Sequence, residues 1–147
     1  MELVIFIGLQ ASGKSTFYRE RFFRTHLRIN LDMLKTRHRE WRLFQTCLEV
    51  GQRVVIDNTN PARLDRARYI TPARTAGFSV TGYFFRSRLS ESLARNALRE
   101  GEERIPDAGL RRARARLERP SGDEGFDALY HVSLLAPSGF SVREWVE

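Results

Sequence analysis

The most constraining feature of this chain lies at its start, where the unbroken apolar run LVIFI, residues 3–7, leads into a glycine-bounded loop and then into a helical pattern. A strand without polar alternation must be covered on both faces, as in a parallel sheet between two layers of helices. The loop reads Gly8, four residues, Gly13, Lys14, Ser15, the spacing G-x-x-x-x-G-K-[ST] in the strand-to-helix context that gives it meaning. Glycines let main-chain N–H groups turn inward onto phosphate oxygens, and the helix N-terminus adds its partial positive charge. Lys14 then reaches the β and γ phosphates, and the Ser15 hydroxyl completes a Mg²⁺ shell. Composition strengthens the case for Lys14. Of 25 basic residues only Lys14 and Lys35 are lysines, so a lysine here marks a position where a compact ammonium is required.

Further apolar runs bounded by turn signals recur at 27–30, 53–57, 79–85 and 130–135, giving five strands with the first at 2–8. Helical patterns fill 14–24, 32–50, 61–76, 88–100 and 107–118, with Pro61 at a helix start and Gly51 and Gly77 at helix ends. The alternation predicts a three-layer α/β fold with a parallel five-stranded sheet. At 147 residues it forms one domain, 1–147, with RPSGDEG at 119–125 as an exposed loop and the last dozen residues unplaced.

No apolar run approaches the roughly 20 residues of a membrane span, so a soluble, unexported protein without membrane contact is expected. Cys47 is the single cysteine and lacks both a disulfide partner and zinc-ligand spacing, which points to a reducing compartment, the cytoplasm. The net charge of +7 suits an anionic partner such as nucleic acid, although an arginine-rich coding bias accounts for it equally well.

Three further places carry candidate chemistry. Asp32 follows the second strand at the carboxyl edge of the sheet, where it either accepts a proton from an attacking hydroxyl or caps a helix. Asp57 ends the third strand in VVIDNTNP, where it either holds a Mg²⁺-bound water or the loop serine, or forms an Asx turn. Arg95 and Arg99 lie four apart on one helix face, and either neutralise charge during phosphoryl transfer or pair with glutamates in solvent. The cluster Arg111, Arg112, Arg114, Arg116 and Arg119 reads as a solvated face or a phosphate contact. The histidines share no metal-ligand spacing, and Trp41 and Trp145 read as packing.

Taken together, GLQASGKSTF, RINLD, GQRVVIDNTNPARLDRARYI, ARNALREGEERIP and EGFDALYHV resemble, in order and spacing, the 5'-kinase domain of the polynucleotide kinases, over roughly residues 2–135. The loop is shared by a superfamily; IDNTNP followed by the RARY helix is far more specific. The resemblance implies a P-loop kinase fold and transfer of the γ-phosphate of ATP or another NTP, with Mg²⁺, to 5'-OH ends of DNA or RNA, in nucleic acid repair. It implies nucleotide contacts from Gly8, Ala11, Ser12, Gly13, Lys14, Ser15, Thr16, Arg95 and Arg99. Ser15 and Asp57 attend the metal, Asp32 is the general base, and Lys14 and Arg99 are catalytic. The acceptor meets Asp32, Lys35 and Asn58, and residues 88–119 form a lid.

Two departures stand out. The family commonly writes Asn-Arg-Asp where this chain has Asn30-Leu31-Asp32, and Lys35 replaces an arginine, keeping the charge but losing the bidentate fork. Both favour an alternative, a P-loop kinase with a small acceptor such as a nucleoside, sugar or antibiotic. A nucleic-acid-binding NTPase is the third possibility. The absence of a D-x-D-x-T motif predicts a kinase without a phosphatase domain.

Overall fold

Side chains on the first strand, β1 (Glu2–Ile7), alternate between two cores. Leu3, Ile5 and Ile7 point to one face of the sheet and pack with Phe44, Tyr69 and Ile70, while Val4 and Phe6 point to the other and meet Phe17, Tyr18 and Phe22. Each fully buried side chain of this size contributes roughly 1.5–3 kcal/mol relative to exposure. Burial on both faces is what the unalternating LVIFI run demands. The computed structural model describes all 147 residues.

After β1 come α1 (Lys14–Arg21), β2 (Leu27–Ile29), α2 (Leu31–Leu34), α3 (Arg37–Val50), β3 (Val54–Ile56), α4 (Arg63–Thr75), β4 (Ser79–Phe85), α5 (Leu89–Ala97), α6 (Asp107–Arg116), β5 (Ala128–Leu134) and β6 (Phe140–Glu144). The strand order is β2-β3-β1-β4-β5-β6. All neighbours are parallel except β6, which runs antiparallel to β5 with Val132 opposite Val142. The sheet therefore has six strands rather than five. The sixth arises in the unplaced C-terminal stretch, where FSVRE is only half-buried and ends in charged residues, as suits an edge strand.

The pattern over 32–50 is two helices, not one. Asn30 accepts a hydrogen bond from the Met33 N–H and caps α2, Thr36 accepts from Arg39 N–H and caps α3, and Lys35 between them has φ 73°. Two polar caps six residues apart compete with continuation of the helix. Pro61 lies two residues ahead of α4, whose first turn is closed instead by Asp65, accepting from Ala62 N–H at 3.1 Å. Gly51 and Gly77 do end helices, with φ 72° and 82°. No helix is long and apolar enough to cross a membrane.

Candidate active site

The carboxyl ends of β1, β2 and β3 open into a cleft of about 340 Å³ with mostly polar walls. Its floor is formed by Gln10, Ala11, Gly13, Lys14 and Ser15 of the phosphate loop, while Gly8 and Ser12 lie outside the lining. Gly13 has φ 96°, and a Cβ there would stand 3.1 Å from Leu134 and Phe140, so only glycine lets the loop pass beneath them. Ser12 donates its hydroxyl to the Leu9 carbonyl at 2.6 Å and is buried, Ala11 has φ 61°, and Gly8 N–H donates to the Thr59 carbonyl. Thr16 is exposed at the cleft wall.

Lys14 is buried and donates to the carbonyls of Gly8 at 2.9 Å and Leu9 at 2.6 Å. Burial pushes its ammonium down to about 8; the Asp57 and Asp32 carboxylates oppose the shift, and Arg99 and Arg28 add to it. An ammonium that titrates so near neutrality is poised to gain from an arriving polyanion.

Asp57 is buried at the end of β3, and its Oδ2 accepts from Arg28 Nε at 2.8 Å. The same guanidinium donates through Nη2 to Ser15 Oγ at 3.0 Å. Ser15 and Asp57 thus share one cation, the Arg28 guanidinium. Their donor set, one carboxylate and one hydroxyl, suits Mg²⁺ delivered with phosphates and water, which prefers few protein ligands. The molecule has no cluster of three or more His, Cys, Asp or Glu side chains able to hold a metal unaided. The residues therefore fit a nucleotide-borne Mg²⁺, on condition that Arg28 moves.

Asp32 is exposed in the first turn of α2 and lines the cleft together with Lys14 and Arg99. It does not cap the helix, because Asn30 does. Asn58 faces the same space, with Oδ1 accepting from Leu31 N–H at 2.8 Å and Nδ2 donating to Glu40 at 2.7 Å. Lys35, by contrast, is exposed and lies outside the cleft lining.

Arg95 and Arg99 do not share a helix face, since α5 ends at Ala97. Arg95 sits behind the loop, donating through Nε to the Ala11 carbonyl, with Nη2 buried and unbonded. Burial lowers its pKa, Glu91 opposing and Arg99 adding. Arg99 lines the cleft and reaches the Glu103 carbonyl at 3.2 Å. The turn between α5 and α6 is held by Asn96, fully buried, which exchanges two hydrogen bonds with the main chain of Ile105.

Within the arginine cluster, Arg116 lines the cleft and pairs with Asp65 at 3.2 Å, whereas Arg119 lies over the Trp145 ring at 4.6 Å. Both tryptophans pack against the core.

Sequence reasoning missed several positions that brace the residues of the cleft. Glu40 is 1% exposed; its carboxylate accepts from Tyr69 at 2.7 Å, Arg37 at 2.9 Å and Asn58. Burial and Glu40 push the Tyr69 phenol up, and although burial works against Arg37, the Glu40 hydrogen bond raises it. One signal was available: Glu40, Phe44 and Cys47 fall on one helical face, so a glutamate stood on the buried stripe. Arg66 is also wholly buried. It pairs bidentately with Glu124 and donates to the carbonyls of Asn60 and Pro61, so the RARY arginine braces the IDNTNP loop. Nothing in the sequence marks Arg28.

The sequence pattern of the AAA domain family (AAA_33) matches residues 28–120, more than half of the chain. The chain belongs to the AAA domain family. The match begins after the phosphate loop, which stands on its own geometry. Among curated proteins the chain is similar to a bifunctional polynucleotide phosphatase/kinase of Schizosaccharomyces pombe, 29% identical over 137 residues, covering 89% of this chain and 33% of that protein. It is also similar to a putative bifunctional polynucleotide phosphatase/kinase of Acanthamoeba polyphaga mimivirus, 35% identical over 74 residues, 50% of this chain and 18% of that one. The chain thus spans a third or less of the length of these relatives, and their names match the kinase resemblance of the sequence.

Among solved structures, a sugar kinase of Janibacter sp. HTCC2649 superposes with TM-score 0.68 at 18% identity, covering 90% of this chain and 85% of that one. Chaetomium thermophilum Kti12, solved with ADP-AlF3, gives TM-score 0.68 at 16% identity over 89% and 88%. These neighbours establish the P-loop kinase fold.

Proposed function

We propose that this domain is an ATP-dependent polynucleotide 5'-hydroxyl kinase. One observation carries the reading: the cleft lined by Lys14 and Ser15 is lined also by Asp32 and Asn58 and by Arg37, Arg68 and Arg116. A phosphate loop, a carboxylate able to activate a hydroxyl and three arginines then share one cleft, which suits an alcohol carried on a phosphodiester chain. The relatives' names support the same acceptor.

In this reading the loop from Gly8 to Thr16 cradles the triphosphate with main-chain N–H groups, and Lys14 leaves its carbonyl partners for the phosphates. Asp32, with no hydrogen-bond partner of its own, accepts the proton of the attacking 5'-hydroxyl. Arg99 neutralises charge as the γ-phosphoryl moves, and Arg95 holds the loop at Ala11. Asn58 orients the acceptor, and residues 88–119 act as the lid. Mg²⁺ at Ser15 and Asp57 would supply charge neutralisation on the β and γ oxygens.

A second reading, a kinase with a small acceptor, is favoured by Lys35, which stands outside the cleft and so supplies no grip on an acceptor phosphate. The deciding experiment is transfer of γ-labelled phosphate from ATP and GTP, with Mg²⁺, to 5'-hydroxyl DNA and RNA oligonucleotides, mononucleosides and water. Labelled oligonucleotide, with acceptor affinity falling steeply as salt rises, is the expected result. Label only on a small molecule or on water overturns the polynucleotide reading.

A further inference from the structure

Arg28 is engaged in a way that a solvated arginine is not. It stands on β2 in register with Val55, two residues before Asp57, so its side chain reaches the carboxyl edge beside that carboxylate. Nε binds Asp57 at 2.8 Å, Nη2 binds Ser15 at 3.0 Å, and the guanidinium carbon lies 5.9 Å from the centre of the Tyr18 ring. Tyr18 is itself buried and fixed by its hydroxyl donating to the His26 carbonyl at 2.7 Å. The Asp57 side chain is 2% exposed, so its charge needs a partner at all times. The planar fork presents two separate N–H groups to the carboxylate and the hydroxyl at once, a fixed geometry that a single ammonium nitrogen does not reproduce.

The two groups that Arg28 joins are the two that would attend Mg²⁺. We propose that Arg28 is the resident cation of the metal position: in the nucleotide-free protein it bridges Ser15 and Asp57, keeps divalent metal out, and gives way only to metal arriving on a nucleoside triphosphate. The inference rests on the P-loop part of the kinase reading and is independent of the acceptor. It follows from competition for the same oxygens. A hexahydrated Mg²⁺ loses water reluctantly, and a hydroxyl with a single buried carboxylate, already paired, offers it little. A triphosphate contributes further oxygens and draws Arg28 toward its own charge, so metal and nucleotide bind together or not at all. The buried Asp57 charge is thereby never left bare.

The test compares wild type, Arg28→Met and Arg28→Lys by Mn²⁺ titration without nucleotide, read from the electron paramagnetic resonance signal of free Mn²⁺, and by melting temperature in EDTA and in Mg²⁺. Wild type is expected to leave Mn²⁺ free and to melt at the same temperature with or without Mg²⁺. Arg28→Met is expected to bind Mn²⁺ at least about tenfold more tightly, to melt lower in EDTA, and to recover in Mg²⁺, because metal now compensates the buried carboxylate. Arg28→Lys, which keeps the charge and loses the fork, falls between, and it carries the test if the methionine variant does not fold. Equal Mn²⁺ affinity in all three, or a wild type that Mg²⁺ alone stabilises as much as the variants, overturns the proposal. ADP binding in Mg²⁺ is measured alongside. A wild type that binds no ADP fails the kinase reading instead, while the Mn²⁺ comparison still decides Arg28.

Discussion

One wall of the cleft is made of main chain and the other of side chains, and the two should fail in different ways. On the phosphate-loop wall, Lys14 is parked on the carbonyls of Gly8 and Leu9, Ser12 on that of Leu9, and Arg95 on that of Ala11. On the opposite wall, Asp32 is held in place through α2, whose Leu31 N–H bonds Asn58, which bonds Glu40, which bonds Tyr69 and Arg37. The main-chain wall is specified first by local glycine spacing, with Arg95 at Ala11 as a brace from 84 positions away. A side-chain wall is specified by residues up to 38 positions apart in sequence, as Leu31 and Tyr69 are. The first should govern nucleotide binding, and the second the fate of the acceptor hydroxyl.

The sharpest way to break this division is Asp32→Asn, which keeps shape and removes the base. Phosphate transfer to an oligonucleotide should fall by about 10²–10⁴-fold, while ADP affinity measured by calorimetry stays within a factor of two to three. Loss of ADP affinity in parallel would mean that the two walls do not act separately. Lys14→Met is the converse. Transfer should fall by about 10²–10³-fold with nucleotide affinity falling too, since a charge that meets both ground-state and transition-state phosphates is gone.

Glu40 tests how far the side-chain wall reaches. In Glu40→Gln the amide N–H₂ must face one of three donors, so either Asn58 or the Tyr69–Arg37 pair loses its acceptor in a buried place. A stability loss of about 2–4 kcal/mol by denaturant melt is expected. Beyond stability, transfer should drop about tenfold with ADP affinity unchanged, because Asn58 no longer fixes the start of α2 and with it Asp32. An unchanged turnover in folded variant would leave Glu40 as scaffolding for α3 alone.

The same division explains what could be read from the sequence. The buried strands and the loop were legible because each is a local pattern: LVIFI needs two covered faces, and Gly13 needs a positive φ under Leu134 and Phe140. The break between α2 and α3 was written in Asn30 and Thr36, but a periodicity running through 32–50 masked it. β6 was invisible because a half-buried edge strand satisfies its pattern only once β5 is in place. Among site residues, Asp32 and Asn58 could be named, yet Glu40, Tyr69 and Arg28 act through partners on other elements, and no spacing rule joins Glu40 to Asn58 or Arg28 to Ser15. Arg95 and Arg99 show the reverse error. Their four-residue spacing suggested one face, but α5 ends between them, so one arginine braces the loop while the other lines the cleft.

The smallest effect expected is a pH dependence that belongs to the phosphate-loop wall alone. Lys14 titrates at about 8 in the folded, nucleotide-free protein against an ordinary 10.5. Below about 8 it carries its proton both folded and unfolded, and folding bears the cost of burying the charge. Between about 8 and 10.5 the unfolded chain holds a proton that the folded one has released, so this group makes stability rise with pH across that window. Nucleotide binding responds oppositely, because phosphates favour the ammonium. Above pH 8 binding must take up a proton, and affinity should fall by up to about tenfold per pH unit. Calorimetry of ADP binding at pH 8.5 in two buffers of different ionisation enthalpy should therefore report uptake of a substantial fraction of a proton. Lys14→Met should abolish that uptake, whereas Asp32→Asn, which removes a carboxylate that holds the lysine's pKa up, should leave it intact or slightly larger. Uptake that disappeared in both variants would mean that the proton taken up depends on Asp32 as well as on Lys14, and the two walls would then be one electrostatic unit.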